Sequence, residues 1–217
     1  MIRLRTKNLI GEFEEKRPLY EDFCLAVNKM LTNLLDQKGY KYQIYSRVKN
    51  ISSLKEKIKR KKVNKKKYKD LSEINDLAGV RIIFYLESEK EKFIEDLKTE
   101  MPSILNIENL EKINGYKAKH IIITLYDKRL ELSEYKKFEN LKCELQLVSI
   151  FNHAWAELEH DWLYKDTCKL KNRNPEIHKI LKRQMELIFK NYVRKLTSKL
   201  EKVAKQVLQE NKTNKLF

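Results

Sequence analysis

Glycine and proline are scarce in this chain, at 4 and 3 of 217 residues, which excludes collagen-like, Gly-rich and Pro-rich architectures. Long apolar runs are also missing. Stretches such as 82–86 fall far short of the roughly 20 residues that span a membrane. The opening residues, MIRLRTKNLIGEFEEKR, lack the apolar core of a signal peptide, so the sequence predicts a cytoplasmic protein with no membrane partner. Three scattered cysteines, Cys24, Cys143 and Cys168, form no CxxC and support neither a disulfide framework nor a zinc knuckle. Four histidines (His120, His153, His160 and His178) make no HExxH pattern, so a structural zinc is not expected.

Apolar residues make up 41% of the chain, enough for a core, and disorder along its whole length is excluded. The net charge of +16 is unevenly placed. Residues 47–70 hold twelve Lys or Arg against two acids, and residues 171–217 hold thirteen against four. The stretch between them is slightly acidic. Two basic segments attract polyanions such as nucleotides or RNA, unless they are merely solvated faces.

The periodicity gives an α+β reading: a mixed sheet of four to five strands, with helices before, between and after them. Phe23, Val27, Met30, Leu31, Leu34 and Leu35 predict a helix over 19–37, with Pro18 in its first turn and Gly39 at its stop. Strands are expected at 40–48, 78–86, 117–126 and 141–148, and a weak one at 103–107. Ser53 and Glu56 suggest a capping box opening a short helix over 54–62. Helices are also expected at 88–99 and 151–164. Asn174-Pro175 announces a long last helix to about 210. There Val193, Leu196, Leu200, Val203 and Val207 form a seam that packs on the domain or on a second copy of the chain.

Three polar patches interrupt this pattern. Arg47 and Lys49 share a strand face, and Lys57 and Arg60 share a helix face, so four cations can converge on a polyphosphate. Asp76 precedes a buried strand in Asn75-Asp76-Leu77-Ala78-Gly79-Val80-Arg81, a position suited to an Mg²⁺ ligand or to an ordinary turn aspartate. Glu144 and Gln146 alternate with Cys143, Leu145 and Leu147, which puts both on the polar face of a half-buried strand. Cys143 reads as a buried free thiol.

Together with Gly115-Tyr116-Lys117-Ala118-Lys119-His120 and a helix carrying Glu159-His160 and Tyr164-Lys165, the order resembles the RelA/SpoT alarmone synthetase domain. The small, single-domain synthetases are the nearest likeness. The family signature runs R-x-K…S…K, D-x-A-G-x-R, G-Y-x-S-x-H, E-x-Q-x-R-T, then a helix ending in EH and YK. The resemblance implies a nucleotidyltransferase-like fold divided into an N-terminal helical segment (1–44), a synthetase domain (45–165) and a basic helical extension (166–217). It implies transfer of the β,γ-diphosphate of ATP to the ribose 3′-oxygen of GTP or GDP, giving (p)ppGpp. Arg47 and Arg81 match arginines that sandwich the donor adenine; Lys49, Lys57 and Arg60 match its phosphate contacts. Asp76 and Glu144 match the Mg²⁺ acids, and Glu144 also matches the base for the 3′-hydroxyl. Tyr116 matches the ring that stacks on guanine, and Lys112, His120, Gln146 and His153 match other acceptor positions.

The departures from the signature fall on the acceptor side: Ala118 replaces the serine, Val148-Ser149 replace Arg-Thr, and Glu111 replaces a proline before Lys112. Two alternatives therefore stand beside (p)ppGpp synthesis. One is the toxic branch of the family, which pyrophosphorylates the 3′-CCA end of tRNA; the basic segments suit that RNA, and an antitoxin protein would accompany it. The other is an inactive nucleotide- or RNA-binding module, which would have no need of paired acids near phosphates. No alarmone hydrolysis is expected, because 1–44 is too short for a hydrolase domain. A homo-oligomer is expected from the apolar seam and from the assembly of similar small synthetases through terminal helices.

Overall fold

A computed structural model of the chain describes residues 2–63, 67–100, 104–111, 117–125, 129–164 and 170–213. Helix α1 (Ile2–Gln37) leads into strand β1 (Tyr42–Val48) and helix α2 (Ile51–Val63). Strand β2 (Ala78–Phe84), helix α3 (Glu87–Glu100) and strands β3 (Ile104–Glu111) and β4 (Lys117–Ile123) follow. A short helix α4 (Ser133–Lys136) precedes strand β5 (Cys143–Ser149) and helix α5 (Ile150–Glu159). The chain closes with α6 (Leu170–Arg173), α7 (Pro175–Ile188) and α8 (Arg194–Thr213). Five strands make one sheet in the order β1-β2-β5-β4-β3, so the expected α+β architecture holds.

Two expectations about helix starts need correcting. Helix α1 begins 17 residues before the expected residue 19 and carries Pro18 inside it. The buried stripe explains this, because Leu9 and Phe13 continue the phase of Tyr20, Phe23, Val27, Leu31 and Leu34. Pro18 and Glu14 are both exposed, so the carbonyl left without a partner by the missing N–H faces water. Helix α2 is capped by Asn50 and not by Ser53: Asn50 Oδ1 accepts from the Ser53 N–H at 2.8 Å, and its carbonyl from the Leu54 N–H at 3.0 Å. The stop of α1 is as expected. Gly39 has φ +71°, and the Tyr40 N–H reaches back to the Leu35 carbonyl at 3.0 Å.

The chain divides into two compact units. The first comprises Met1–Ile82, Leu97–Glu108 and Lys119–Gln146. In it, α1 packs along β1 and against α2. Leu31, Leu35, Leu54, Leu77, Ile82, Ile121 and Leu145 are fully buried there, and Phe23 stacks tilted on Phe138 at 5.4 Å. Cys143 is buried and free, as its alternation predicts. Lys142 Nζ holds the Ser72 carbonyl at 2.9 Å, which ties the start of β5 to the loop before β2.

The second unit comprises Ile83–Asp96, Asn109–Ala118 and Leu147–Phe217. Its core gathers Trp155, Leu163, Met185 and Phe189. Trp155 donates from Nε1 to the Met185 carbonyl at 3.3 Å, and its ring lies 4.6 Å from Phe189. Asn174 caps α7 by accepting from the Ile177 N–H, with Pro175 in the first turn as expected. One π-helical turn, Phe189–Val193, joins α7 to α8, so the last helix is continuous from Pro175 to Thr213. Val193 packs against the core, whereas Leu196, Leu200, Val203 and Val207 are 36–54% exposed.

Candidate active site

Strands β1, β2 and β5 lie side by side and carry Arg47, Arg81, Glu144 and Gln146 in the first unit. Alternation sets the face. On β2, Ala78, Val80 and Ile82 are buried while Gly79 and Arg81 are only partly so; on β5, Cys143, Leu145 and Leu147 are buried while Glu144 and Gln146 are only partly so. A Cβ at Gly79 would stand at ordinary van der Waals distance, 3.6 Å from the Glu144 carbonyl oxygen and 3.9 Å from that of Arg47, which shows how closely the three strands' backbones meet there.

Lys49 and Lys57 meet at Asp76. Their ammonium groups stand 2.8 and 2.7 Å from the same carboxylate oxygen, Oδ2. The Lys49 N–H also binds the Leu77 carbonyl at 2.8 Å, which fixes the end of β1 beside the turn that carries Asp76. Lys57 precedes the buried Ile58 on α2, so the packing of Leu54 and Ile58 aims it at the same point. Burial pushes the Asp76 carboxyl up, but the hydrogen bonds and charges of the two lysines outweigh it and hold Asp76 below the usual aspartate value. Its other oxygen, Oδ1, is buried and has no hydrogen-bond partner among the described residues.

Glu144 is held from both sides. His120 Nδ1 lies 2.9 Å from Oε1, and Gln146 donates from Nε2 to Oε2 at 2.9 Å. Gln146 is itself oriented by Arg81, whose Nε donates to Gln146 Oε1 at 3.1 Å. Burial raises the Glu144 carboxyl, and the hydrogen bond and charge of His120, with Gln146, lower it further than burial lifts it. The Asp76 charge works the other way and raises it. Two ionised acids therefore sense each other in a partly buried site.

That arrangement fits a divalent cation of the Mg²⁺ type. The Asp76 Oδ1 atom is a buried oxygen with no donor among the described residues, and the Asp76 charge is felt at Glu144, so a cation between them would relieve both. Among the described residues there is no cluster of three or more metal-binding side chains. An ion held by Asp76 and Glu144 would complete its oxygen shell from phosphates and water, as Mg²⁺ commonly does.

The structure thus brings together Lys49, Lys57, Asp76, Arg81, His120, Glu144 and Gln146. Arg47 and Arg60 belong to the same unit and are exposed, on β1 and α2. His153 sits on α5 in the second unit, its Nδ1 3.8 Å from Glu157 Oε1. Lys112, Tyr116 and Cys168 lie outside the described residues, as does part of the basic run 59–69. Sequence reasoning missed two features. The Arg81–Gln146 link joins residues that were expected to serve different substrates. Lys90 is only 1% exposed and pairs with Glu87 and Glu91. Its place one turn before Phe93 and Ile94, on the inward side of α3, is the signal that could have found it.

Three of the residues that depart from the signature, Ala118, Val148 and Ser149, are buried. Ala118 and Val148 lie in the core, and Ser149 accepts at Oγ from Asn152 Nδ2 at 3.0 Å.

The family described as "Region found in RelA / SpoT proteins" matches residues 46–169. The GTP pyrophosphokinase YwaC of Bacillus subtilis is 33% identical over 126 residues, 55% of this chain and 57% of that protein, so the likeness spans little more than half of the relative. Small alarmone synthetase 1 of Bacillus subtilis, solved with its product pppGpp, superposes with a TM-score of 0.69 at 17% identity, over 91% of this chain and 99% of that one. Small alarmone synthetase 2 of Bacillus subtilis gives a TM-score of 0.66 at 23% identity, over 90% and 99%. At these identities the two structures speak for the fold, while the family match covers more than half of the sequence and contains every residue of the Asp76–Glu144 site. The chain belongs to the RelA/SpoT family.

Proposed function

We propose that the chain is an ATP-dependent pyrophosphokinase that makes (p)ppGpp from GTP or GDP. The observation that carries this reading is the pair of ionised acids, Asp76 and Glu144, set among Lys49, Lys57 and His120. The name of the Bacillus relative and the pppGpp held by a protein of the same fold support it. The acceptor 3′-hydroxyl attacks the β-phosphorus of ATP and the bond from that phosphorus to the α,β-bridging oxygen breaks. AMP leaves, and the hydroxyl proton passes to Glu144. Lys49 and Lys57 exchange Asp76 for phosphate oxygens as ATP enters, with Arg60 beside them on α2. Arg47 and Arg81 bracket the adenine. Asp76 and Glu144 would hold Mg²⁺, which would neutralise charge on the phosphates. Tyr116 stacks on guanine, a contact worth ~1–3 kcal/mol, and Lys112, Gln146 and His153 serve the acceptor.

A second reading, transfer to the 3′ end of tRNA, is favoured by one observation. The departures from the family pattern are confined to the acceptor side, and Val148 puts an apolar, buried side chain where the signature has arginine. One experiment separates the readings. γ-Labelled ATP is offered with GDP, GTP and deacylated tRNA side by side at 50 and 200 mM salt. Label on GDP or GTP, with little salt dependence, is the expected result. Label on tRNA alone, at a rate that falls steeply with salt because six to ten phosphate contacts would cost about 10³–10⁵ in affinity, would overturn it. Label on no acceptor would leave a binding module.

A further inference from the structure

We propose that Gln146 is a positioning residue for Arg81, so that a side chain expected on the acceptor side also governs donor binding. The inference rests on the function proposed above, in which Arg81 lies against the adenine, and it adds to any contact that Gln146 makes with the acceptor.

Arg81 and Gln146 lie on the neighbouring strands β2 and β5, within the first unit. Alternation turns both away from the buried residues Val80, Ile82, Leu145 and Leu147. Arg81 Nε stands 3.1 Å from Gln146 Oε1. Arginine has donors and no acceptor, so the atom that faces Nε must be the amide oxygen. The amide nitrogen is thereby turned toward Glu144 Oε2, at 2.9 Å. This assignment uses the chemistry of arginine alone, and the charge of Glu144 does not enter it.

The Nε–H bond lies in the plane of the guanidinium. A partner on that edge fixes the rotation of the plane and occupies neither face, and a face is what a flat base stacks on. Without the Gln146 oxygen the guanidinium would turn about its long side chain, and ordering it would be a cost of each ATP binding event. The same amide faces Glu144, so the arginine assigned to the adenine and the candidate base stand at two ends of one hydrogen-bonded row.

The test removes the acceptor altogether. The full chain is titrated with α,β-methylene-ATP and Mg²⁺ in the absence of GDP, GTP and RNA; carbon in place of the α,β-bridging oxygen blocks transfer. Gln146→Leu keeps an aliphatic side chain without an acceptor atom. It is expected to weaken binding of the analogue about tenfold, the scale of one hydrogen bond. In an Arg81→Leu background the same change should weaken it less than about twofold, because the oxygen then has nothing to hold. Unaltered affinity in Gln146→Leu would overturn the proposal. So would an equal loss in both backgrounds, which would make Gln146 a direct ligand of the donor. A second readout needs no nucleotide. In nitrogen-15 NMR the Arg81 Nε–H signal, identified by its absence in Arg81→Leu, is expected to shift and to exchange faster with solvent in Gln146→Leu. A signal indifferent to that change also overturns the proposal. If label reaches GDP or GTP while neither readout responds, the proposed function stands and the inference falls. If both readouts respond but no acceptor takes label, the positioning role stands and the proposed function falls.

Discussion

Arg81 and Gln146 are joined by a hydrogen bond of 3.1 Å from Nε to Oε1. One side chain is expected to lie against the donor base and the other to serve the acceptor. Their contact links side chains of the neighbouring strands β2 and β5, and the amide it orients faces Glu144.

The two lysines that converge on Asp76 should betray themselves in the donor KM. Lys49→Ala and Lys57→Ala are each expected to raise the KM for ATP about ten- to hundred-fold, the equivalent of a lost charged contact of ~1.5–3 kcal/mol, with less effect on kcat. Steady-state kinetics with varied ATP at saturating acceptor provide the check. A raised acceptor KM at unchanged ATP KM would exchange the two sides of the site.

Removing either acid should stop the chemistry and leave the fold. Asp76→Asn and Glu144→Gln are expected to lower kcat by about 10²–10⁴-fold while circular dichroism stays that of the parent chain. Their titration also predicts a pH dependence of stability. Both carboxyls lie below their unfolded values near 3.9 and 4.3, so each stabilises the fold above about pH 4 and loses that contribution as pH falls through its lower folded value. Urea melts in Mg²⁺-free buffer between pH 7 and pH 3 should therefore show falling stability at the acid end. The fall should be shallower in the double variant; an identical slope would show that the two acids are not held in the ionised form.

The exposed seam on α8 predicts association. In one chain Leu196, Leu200, Val203 and Val207 lie open to solvent along one stripe, where a second copy could bury them. Light scattering is expected to give a multiple of 26.2 kDa, and Leu200→Glu with Val207→Glu to reduce it to a single chain. A monomeric mass in the parent chain would refute the seam as an interface.

Much of this was legible because strand alternation and motif order are local. Cys143, Leu145 and Leu147 declare the buried face of β5 and leave Glu144 and Gln146 on the other side. Asp76 was legible as a turn acid before a buried strand. What escaped depends on partners distant in sequence. The strand order that sets Arg81 beside Gln146, and His120 against Glu144, is fixed by packing that no window of residues reveals. Pro18 misled for the opposite reason. A local breaker signal was outweighed by a buried stripe running on to Leu9, on a helix whose proline faces water. Ser53 and Glu56 made a plausible capping box, but Asn50 already held the Ser53 N–H from three residues upstream.

Two ammonium groups on one oxygen of Asp76 also determine what this site admits. The lysines supply the counter-charge of Oδ2 and leave Oδ1 for a cation or donor. A chelate of metal and polyphosphate brings anionic oxygens that draw the lysines away as the metal comes in, so charge is exchanged and never left exposed. On the proposed function, a metal–nucleotide complex would therefore enter as one particle, its phosphates taking over the two lysines as the metal meets Oδ1.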